Sequence, residues 1–318
     1  MNQLSAETQA KGFPDCSRPL VYENMTVSNS VFHSRAVRST RHPIENDPDP
    51  MVQQQLARLL FLPNILELKG KRVLEFGCGS GLNCSFLRSR AEVHEIVGFD
   101  VSEESIALAK KQYPDIDVFG ADACDPALQI SPGNWDVILS FEVLEHVPNM
   151  PVFIENIRRH LAPGGVVFIS TPNRKVFSLG HEPSPVNREH IGELCALEFR
   201  ELLRQFFAAI DLWGQRFKKG EHQERWNDDV AMKIKQLQNG TRWAPRKRPL
   251  RDSLMNNPLI GRAYQNKMLQ NTWKYLRWEL WHSVELQREL KNRPYTYSDF
   301  EFDTDMTNAL WLCARCQL

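Results

Sequence analysis

Hydrophobic and polar positions follow two different periods along the middle of the chain. Short apolar runs that end at glycine or an acidic residue predict buried strands, and apolar residues three or four apart predict amphipathic helices. The predicted strands are Arg72 to Phe76, Glu95 to Phe99, Asp115 to Phe119, Trp135 to Phe141 and Val166 to Ser170. The predicted helices between them are Gly81 to Arg90, Glu103 to Gln112 and Met150 to Leu161. This alternation is typical of an α/β fold with a parallel sheet and crossover helices on both faces.

The same pattern extends to both sides of this region. A helix from Met51 to Leu66, broken near its end by Pro63, is predicted to lead into the first strand. Further along, the pattern predicts a helix over Leu197 to Phe207, a sixth strand over Ala208 to Gly214 and a final edge strand over Ala309 to Cys316. In a sheet of this kind, a ligand is expected at the carboxyl ends of the strands, near the switch in strand order.

Changes in composition divide the chain into three parts. Residues 1–50 are polar and end in the breaker Asp47-Pro48-Asp49-Pro50, which predicts an N-terminal arm or cap. Residues 51–214 and 297–318 are predicted to form the α/β domain. Residues 215–296 carry eighteen Lys and Arg against eight Asp and Glu, and they are predicted to form a basic, aromatic-rich, mostly helical insertion or lid.

Overall composition narrows the class of protein. Hydrophobic residues make up 42% and charged residues 25% of the chain, and the formal net charge is zero, so the chain as a whole indicates no polyanionic partner. The seven cysteines are scattered and odd in number, which is typical of reduced thiols. Without an apolar stretch of about 18 residues, no membrane span is expected, and we expect a cytoplasmic protein.

The most informative stretch is "VLEFGCGSG", Val73 to Gly81, where a strand should become a helix. Three glycines at alternate positions would let a nucleotide-like ligand lie against the backbone, although a glycine triplet alone also suits a plain tight turn. The dinucleotide fingerprint is G-x-G-x-x-G, whereas the spacing here is G-x-G-x-G, with Glu75 two residues before the first glycine. This pattern fits a ligand that has no pyrophosphate but has a cationic ammonium.

Two more acidic positions follow at the ends of the next strands. Asp100 closes the second strand in "GFDVS", 19 residues after Gly81, where a carboxylate can accept hydrogen bonds from both ribose hydroxyls. After the third strand, in "GADACD", Asp122 could accept from an adenine amino group and the amide of Ala123 could reach a ring nitrogen. Their order along the chain favours ligand binding over a plain turn.

These motifs, with "WDVILSFEVLEHVPN" and "LAPGGVVFISTPNR", resemble those of the class I S-adenosylmethionine-dependent methyltransferases from about Lys71 to Gly214. The resemblance implies a Rossmann-like, seven-stranded sheet whose last strand is antiparallel, and S-adenosylmethionine as the cofactor. It implies cofactor-binding roles for Glu75, Gly77, Gly79 and Gly81 at the methionine half, Asp100 and Val101 at the ribose, Asp122 and Ala123 at the adenine, and Phe141 at the sulfonium.

The acceptor side is predicted after the fourth strand, in "FEVLEHVPN". Glu142, Glu145 and His146 are three and four residues apart, so on one helical turn they would point to the same side. Two carboxylates and an imidazole can bind a divalent metal such as Mg or Zn, with His190 as the preferred fourth ligand and His181 as the second choice.

This E-x-x-E-H pattern with a later histidine is similar to ubiquinone-biosynthesis O-methyltransferases and to small-RNA 3′-terminal 2′-O-methyltransferases. Both are understood to use a metal to hold and deprotonate vicinal hydroxyls. Two alternatives stay open at this point: His146 or His190 acts as a general base without metal, with Glu142 as a further catalytic group, or these residues are structural.

Together these features predict an S-adenosylmethionine-dependent methyltransferase that O-methylates a small hydroxylated metabolite, such as a phenol, a catechol or a sugar, by in-line transfer. The alternatives are an RNA 2′-O-methyltransferase and a non-catalytic binding protein on the same fold. Aromatic residues interleaved with Lys274 and Arg277 could contact nucleic acid. Their helical spacing favours a lid or a homodimer surface, so a small-molecule acceptor is the expected partner. These aromatic residues are Trp273, Tyr275, Trp278 and Trp281.

Overall fold

The structure is a computed structural model that describes residues 50–131, 133–182, 184, 186–187, 189–238 and 296–318. The helices are α1 (Pro50–Phe61), α2 (Leu82–Arg90), α3 (Glu103–Gln112), α4 (Met150–His160), α5 (Arg174–Phe177), α6 (Ala196–Arg204) and α7 (Gly220–Gln238). The strands are β1 (Arg72–Phe76), β2 (Glu95–Asp100), β3 (Asp117–Gly120), β4 (Trp135–Phe141), β5 (Leu161–Pro172), β6 (Ala209–Phe217), β7 (Phe300–Asp303) and β8 (Trp311–Gln317).

All eight of these strands form one sheet in the order β3-β2-β1-β4-β5-β8-β6-β7. Strands β1 to β5 pair in parallel, whereas β8 is antiparallel to both β5 and β6, and β7 is antiparallel to β6. The predicted mostly parallel sheet with an antiparallel last strand is therefore confirmed. The strand order reverses between β1 and β4, which places the expected ligand crevice beside the glycine turn.

Helices cover both faces of the sheet, as predicted. On one face, α4 and α6 bury Phe153, Ile157 and Leu202 against strand residues such as Leu74. On the other face, α1, α2 and α3 bury a second set of apolar side chains that includes Val73 from the same strand. Neighbouring residues of β1 thus point to opposite cores, which follows from the two-residue period of a strand.

The position of the last strand differs from the prediction. Strand β8 lies inside the sheet between β5 and β6 instead of at its edge. Its residues Trp311 to Ala314 are each at most 1% exposed, and such an uninterrupted apolar run is typical of a central strand. The edge is β7, an eighth strand that was not predicted because its four residues give too short a pattern.

The predicted insertion begins with regular structure that belongs to the sheet. Strand β6 continues to Phe217, three residues past the predicted boundary, and helix α7 follows. The aromatic stretch around Trp273 and the predicted arm, apart from Pro50, lie outside the described residues. Within the described ranges, no helix combines the length and the apolar character that crossing a bilayer requires.

Candidate functional site

A cleft of about 380 Å³ opens at the carboxyl ends of the parallel strands. It is lined by the turns that follow β1, β2, β3 and β4, by the loop after β5, and by side chains from α1 and α7. The lining includes eleven predicted site residues: Gly77, Gly79, Asp100, Val101, Asp122, Ala123, Phe141, Glu142, Glu145, His146 and His190. The structure therefore brings these residues into one cleft, whereas Glu75, Gly81 and His181 do not line it.

The three glycines of the turn have different roles. Gly77 and Gly81 have φ of 74° and 78°, and a Cβ at either position would overlap the side chain of Val143 or Ile116. Gly79 also has a positive φ, of 52°, but a Cβ there would meet no atom within 4 Å. Two glycines are thus required by internal packing, and the middle one leaves open space for a ligand.

The carboxylate of Asp100 is held by the backbone around it. Its Oδ2 accepts a hydrogen bond from the N–H of Gly79, and its Oδ1 accepts from the N–H of Ser102, both at 2.9 Å. Burial raises the pKa of Asp100, while the backbone N–H groups oppose this shift. Since a carboxylate offers about four acceptor positions, each oxygen keeps capacity for a ligand hydroxyl.

The predicted adenine and ribose positions lie in neighbouring turns. Val101 is 40% exposed in the cleft although its side chain is apolar. Asp122 Oδ1 accepts from the N–H of Cys124 at 2.8 Å, and the carbonyl of Ala123 accepts from Asn156 Nδ2 at 2.9 Å. These hydrogen bonds fix the turn after β3 at the mouth of the cleft.

Glu75 lies beneath the glycine turn and does not line the cleft, in contrast to the position expected from the sequence. It is completely buried, and its two oxygens accept from Asn83 Nδ2 at 2.5 Å and from Cys84 Sγ at 3.0 Å. Asn83 Oδ1 in turn accepts from Gln55 Nε2 at 2.7 Å. Asn83 and Gln55, neither of which was predicted as a site residue, line the cleft where Glu75 was expected.

Burial of Glu75 makes the stability of the fold depend on pH. Desolvation raises the pKa of Glu75 to about 7 in the folded state, whereas an unfolded glutamate titrates near 4.5. Between these two values the folded state holds a proton that the unfolded state has released, so the stability falls as the pH rises through this window. A difference of about 2.5 units corresponds to roughly 3 kcal/mol.

We expect Glu75→Gln to remove this part of the pH dependence. The free energy of unfolding of the wild type should fall by about 2.5 kcal/mol more than that of the variant between pH 5 and pH 8, because part of the effect lies below pH 5. Denaturant titrations at the two pH values, with both proteins, measure this difference. Equal changes in the two proteins would show that Glu75 is ionised in the folded state throughout.

The prediction that Glu142, Glu145 and His146 share one helical turn is wrong for Glu142. Only Leu144–His146 form a helical turn, of the 3-10 type, and Glu142 has φ of 55° in the left-handed region. Glu142 Oε1 accepts from Ser170 Oγ at 2.8 Å and lies 3.6 Å from Arg58 Nη1. Its carboxylate is thereby held by residues of β5 and α1.

The loop after β5 brings His190 to this turn. The N–H groups of Ile191 and Gly192 donate to the carbonyl of Glu145 at 2.7 and 3.2 Å. As a result, Glu145 Oε1 lies 3.9 Å from His146 Nε2 and 4.0 Å from His190 Nε2. One side-chain atom from each of Glu145, His146 and His190 lies within 4.8 Å of the others. His181, the second-choice ligand, is exposed, and its Nδ1 lies 3.1 Å from the carbonyl of Leu179.

Both histidines are oriented through their Nδ1 atoms. His146 Nδ1 lies 3.0 Å from the carbonyl of Glu189, and His190 Nδ1 lies 2.6 Å from Glu193 Oε1. A carbonyl can only accept, so Nδ1 of His146 carries a proton, and Nε2 is on the side of Glu145. Glu193 was not predicted, because its spacing of three residues from His190 is also that of an ordinary loop.

Glu145 is a completely buried carboxyl with a raised pKa. Burial, and then the nearby Glu142 carboxylate, raise the pKa of Glu145 well above its usual range. Its Oε2 accepts from Thr171 Oγ1 at 3.0 Å, another contact that was not predicted from the sequence. A buried carboxyl with a raised pKa is stabilised either by a proton or by a nearby positive charge.

A glycine turn without a pyrophosphate spacing, a held carboxylate at the end of β2 and a cleft at the strand switch define a nucleoside-binding α/β domain. Residues 51–228 match the family model described as a methyltransferase domain, which is more than half of the chain. The chain belongs to this family of methyltransferase domains. The predicted class of protein, a methyltransferase, is confirmed.

Curated relatives resemble part of the chain. A probable S-adenosylmethionine-dependent methyltransferase of Mycolicibacterium smegmatis is 36% identical over 134 residues, which are 42% of this chain and 50% of that protein. A ubiquinone biosynthesis O-methyltransferase of Idiomarina loihiensis is 33% identical over 141 residues, which are 42% of this chain and 57% of that protein. The chain thus matches about half the length of these relatives.

Among solved structures, an S-adenosylmethionine-dependent methyltransferase from Mesorhizobium loti has 20% sequence identity and a TM-score of 0.42. The match covers 56% of this chain and 92% of that one.

Proposed function

We propose that this chain transfers a methyl group from S-adenosylmethionine to a hydroxyl oxygen of a small metabolite, such as a phenol, a catechol or a sugar. The observation that carries this proposal is the group of Glu145, His146 and His190 in the same cleft as the donor turn. A hydroxyl must lose its proton as its oxygen attacks, and an oriented imidazole is suited to accept that proton. Relatives named ubiquinone biosynthesis O-methyltransferase support the choice of oxygen as the acceptor atom.

The turns after β1, β2 and β3 form the half of the cleft that fits S-adenosylmethionine, because Gly79 leaves open space there and Asp100 and Asp122 line it. Bound S-adenosylmethionine would supply an electrophilic methyl carbon, and its positively charged sulfur would leave as a neutral thioether. In the proposal, Asp100 accepts from the ribose hydroxyls, Asp122 and Ala123 hold the adenine, and Gly79 leaves room for the methionine half. Phe141 bounds the cleft beside the reacting centre. These residues mainly align the two reactants, which is the larger part of the work in a displacement of this kind.

His190 is the proposed base. Its Nδ1 is held by Glu193 at 2.6 Å, and its ring stacks on Phe177 at a centroid distance of 5.8 Å. These two contacts fix the plane of the imidazole and keep Nε2 on the side of Glu145. The orientation of a base by a second group is the arrangement that efficient proton transfer requires.

The same three residues fit a divalent cation. Their 3.9 and 4.0 Å separations are too long for hydrogen bonds. They exceed by about 0.5 Å the roughly 3.4 Å between neighbouring ligands of a tetrahedral ion with bonds of about 2.0–2.2 Å, so small side-chain movements would bring the three groups around one cation. Outer acceptors on Nδ1, here Glu189 and Glu193, are also typical of metal-binding histidines. A cation held there would lower the pKa of a neighbouring hydroxyl.

Two measurements on the full chain test this proposal. Calorimetric titration with S-adenosylhomocysteine, before and after chelation and again with Mg or Zn restored, measures binding at the donor half. Turnover of a panel of catechols, phenols and methyl glycosides under the same conditions measures the acceptor chemistry. We expect donor binding that ignores the metal and methyl transfer to at least one hydroxyl acceptor.

The outcomes separate the versions of the proposal. Turnover that needs the metal would assign Glu145, His146 and His190 to a cation, and turnover that ignores it would leave His190 as the base. Methylation of RNA 3′ termini without turnover of any small hydroxyl compound would replace the small-molecule acceptor with RNA. Transfer to amines alone would contradict O-methylation.

A further inference from the structure

Helix α7 contributes one side chain to the acceptor side of the cleft. Trp226 lines the cleft, and Val230, four residues later on the same face of the helix, is only 2% exposed. This face therefore packs the helix on the domain, with Trp226 beside the apolar cluster that contains Phe177 and Trp311. Trp226 belongs to residues 215–296, the segment that was predicted to be a basic, aromatic-rich insertion or lid.

The indole ring of Trp226 is fixed by three contacts. Its Nε1–H donates to the carbonyl of Phe177 at 3.2 Å. Its ring centroid lies 5.0 Å from that of Phe177 and 6.0 Å from that of Trp311, at interplanar angles of 47° and 66°. Phe177 and Trp311 are themselves almost completely buried. A ring held in this way presents the same surface to every ligand and needs no ordering when the ligand binds.

Aromatic ring contacts connect Trp226, through Phe177, to His190 and His146. Phe177 stacks on His190 at 5.8 Å and 27°, and His190 meets His146 edge to face at 4.8 Å and 82°. Val186 adds an apolar side chain to this wall of the cleft. The wall thus ends at the imidazoles that the proposed function assigns to the acceptor hydroxyl.

We propose that Trp226 is a specificity-determining residue that selects acceptors with a flat aromatic ring, a refinement that rests on the proposed function. A flat ring can pack against Trp226 and Phe177 and present a hydroxyl on its edge to His190. A sugar ring carries hydroxyls around most of its edge, and each one that meets the aromatic wall loses its hydrogen bonds to water without replacement. The wall therefore favours a phenolic acceptor over a sugar.

The test compares the wild type with Trp226→Ala, Trp226→Phe and a control, Met232→Ala, on the same helix. Met232 is 55% exposed and does not line the cleft. Binding of catechol and of methyl glucoside is measured by ligand-observed NMR with S-adenosylhomocysteine present, so this readout does not depend on turnover. The kcat and KM values for catechol and the affinity for S-adenosylhomocysteine are measured alongside.

We expect Trp226→Ala to weaken catechol binding by about 10-fold or more and to raise KM more than it lowers kcat, because the lost contact is made before the reaction. Trp226→Phe should retain most of the catechol binding, and Met232→Ala should bind catechol like the wild type. The affinity for S-adenosylhomocysteine should be the same in all of these proteins. Equal catechol binding in Trp226→Ala and Met232→Ala would overturn the inference. Stronger binding of methyl glucoside than of catechol by the wild type, or no binding of either, would overturn it as well.

The result also separates this inference from the proposed function. If catechol binds in a way that depends on Trp226 but is never methylated, the role of Trp226 in selecting aromatic rings stands and O-methylation fails. If catechol is methylated with the same KM in all four proteins, O-methylation stands and the role of Trp226 fails.

Discussion

Replacing Asp100 with alanine is expected to weaken the binding of S-adenosylhomocysteine by 100-fold or more. The carboxylate is the charged acceptor at the end of β2, and the backbone N–H groups of Gly79 and Ser102 hold it in one orientation. Hydrogen bonds to a charged group contribute roughly 1.5–3 kcal/mol each, so the loss of the two proposed ribose contacts would correspond to about 100-fold or more in affinity. Calorimetric titration of the purified variant measures the loss.

A matched control separates ligand contact from general damage. Asp117, at the start of β3, is an exposed acid of the same sheet that does not line the cleft, and Asp117→Ala should bind S-adenosylhomocysteine like the wild type. Thermal unfolding of both variants without ligand checks that each one folds. An Asp100→Ala protein that is folded and binds within about threefold of the wild type would refute the placement of the donor ribose.

Replacing His190 with alanine is expected to lower turnover by about 100-fold or more while leaving the affinity for S-adenosylhomocysteine almost unchanged. General acid–base groups typically contribute about 10²- to 10⁴-fold to a rate. His190 lies next to Glu145 and Glu193 at the proposed acceptor end of the cleft, whereas the donor is proposed to bind at the glycine turn. Steady-state kinetics on the preferred acceptor, together with the donor titration, separate the two effects.

His181→Ala is the control for this result. His181 belongs to the same loop and was the second candidate from the sequence, but it is exposed and lies outside the group of Glu145, His146 and His190. Its replacement should leave kcat within about twofold of the wild type, as for most surface substitutions. Equal losses of turnover and donor affinity in His190→Ala would place His190 at the donor instead of the acceptor.

The features that could be predicted from the sequence are those that depend on residues close together along the chain. The glycine turn, Asp100 and Asp122 each lie within a few residues of a strand end, so correct strand assignment alone places them along one edge of the sheet. His190 could also be proposed, because few histidines lie near the carboxyl ends of the strands. Its contact with Glu145 depends on backbone hydrogen bonds across 46 residues, from Ile191 to Glu145, which no periodic pattern reveals.

Other features depend on tertiary contacts or unusual backbone angles. Glu75 was expected in the cleft because its spacing from Gly77 is typical of the family, but the side chains of Asn83 and Cys84 accommodate its carboxyl group in the interior. Glu142 leaves the helical turn because its φ is positive, and a glutamate gives no sign of this in the sequence. Trp226 follows an ordinary helical spacing, and only the docking of α7 shows which side of the indole faces the cleft.

The internal position of β8 has a consequence for how the domain assembles as it folds. Among the described strands, β6 and β7 join the parallel half of the sheet only through β8, which pairs with β5 on one side and with β6 on the other. Val166 pairs with Gln317 and Val167 with Cys316, so these ladders close loops of about 150 residues and carry a high entropic cost. The antiparallel half of the sheet should therefore form late, after the parallel half, and the closing of the β5–β8 ladder should limit the folding rate.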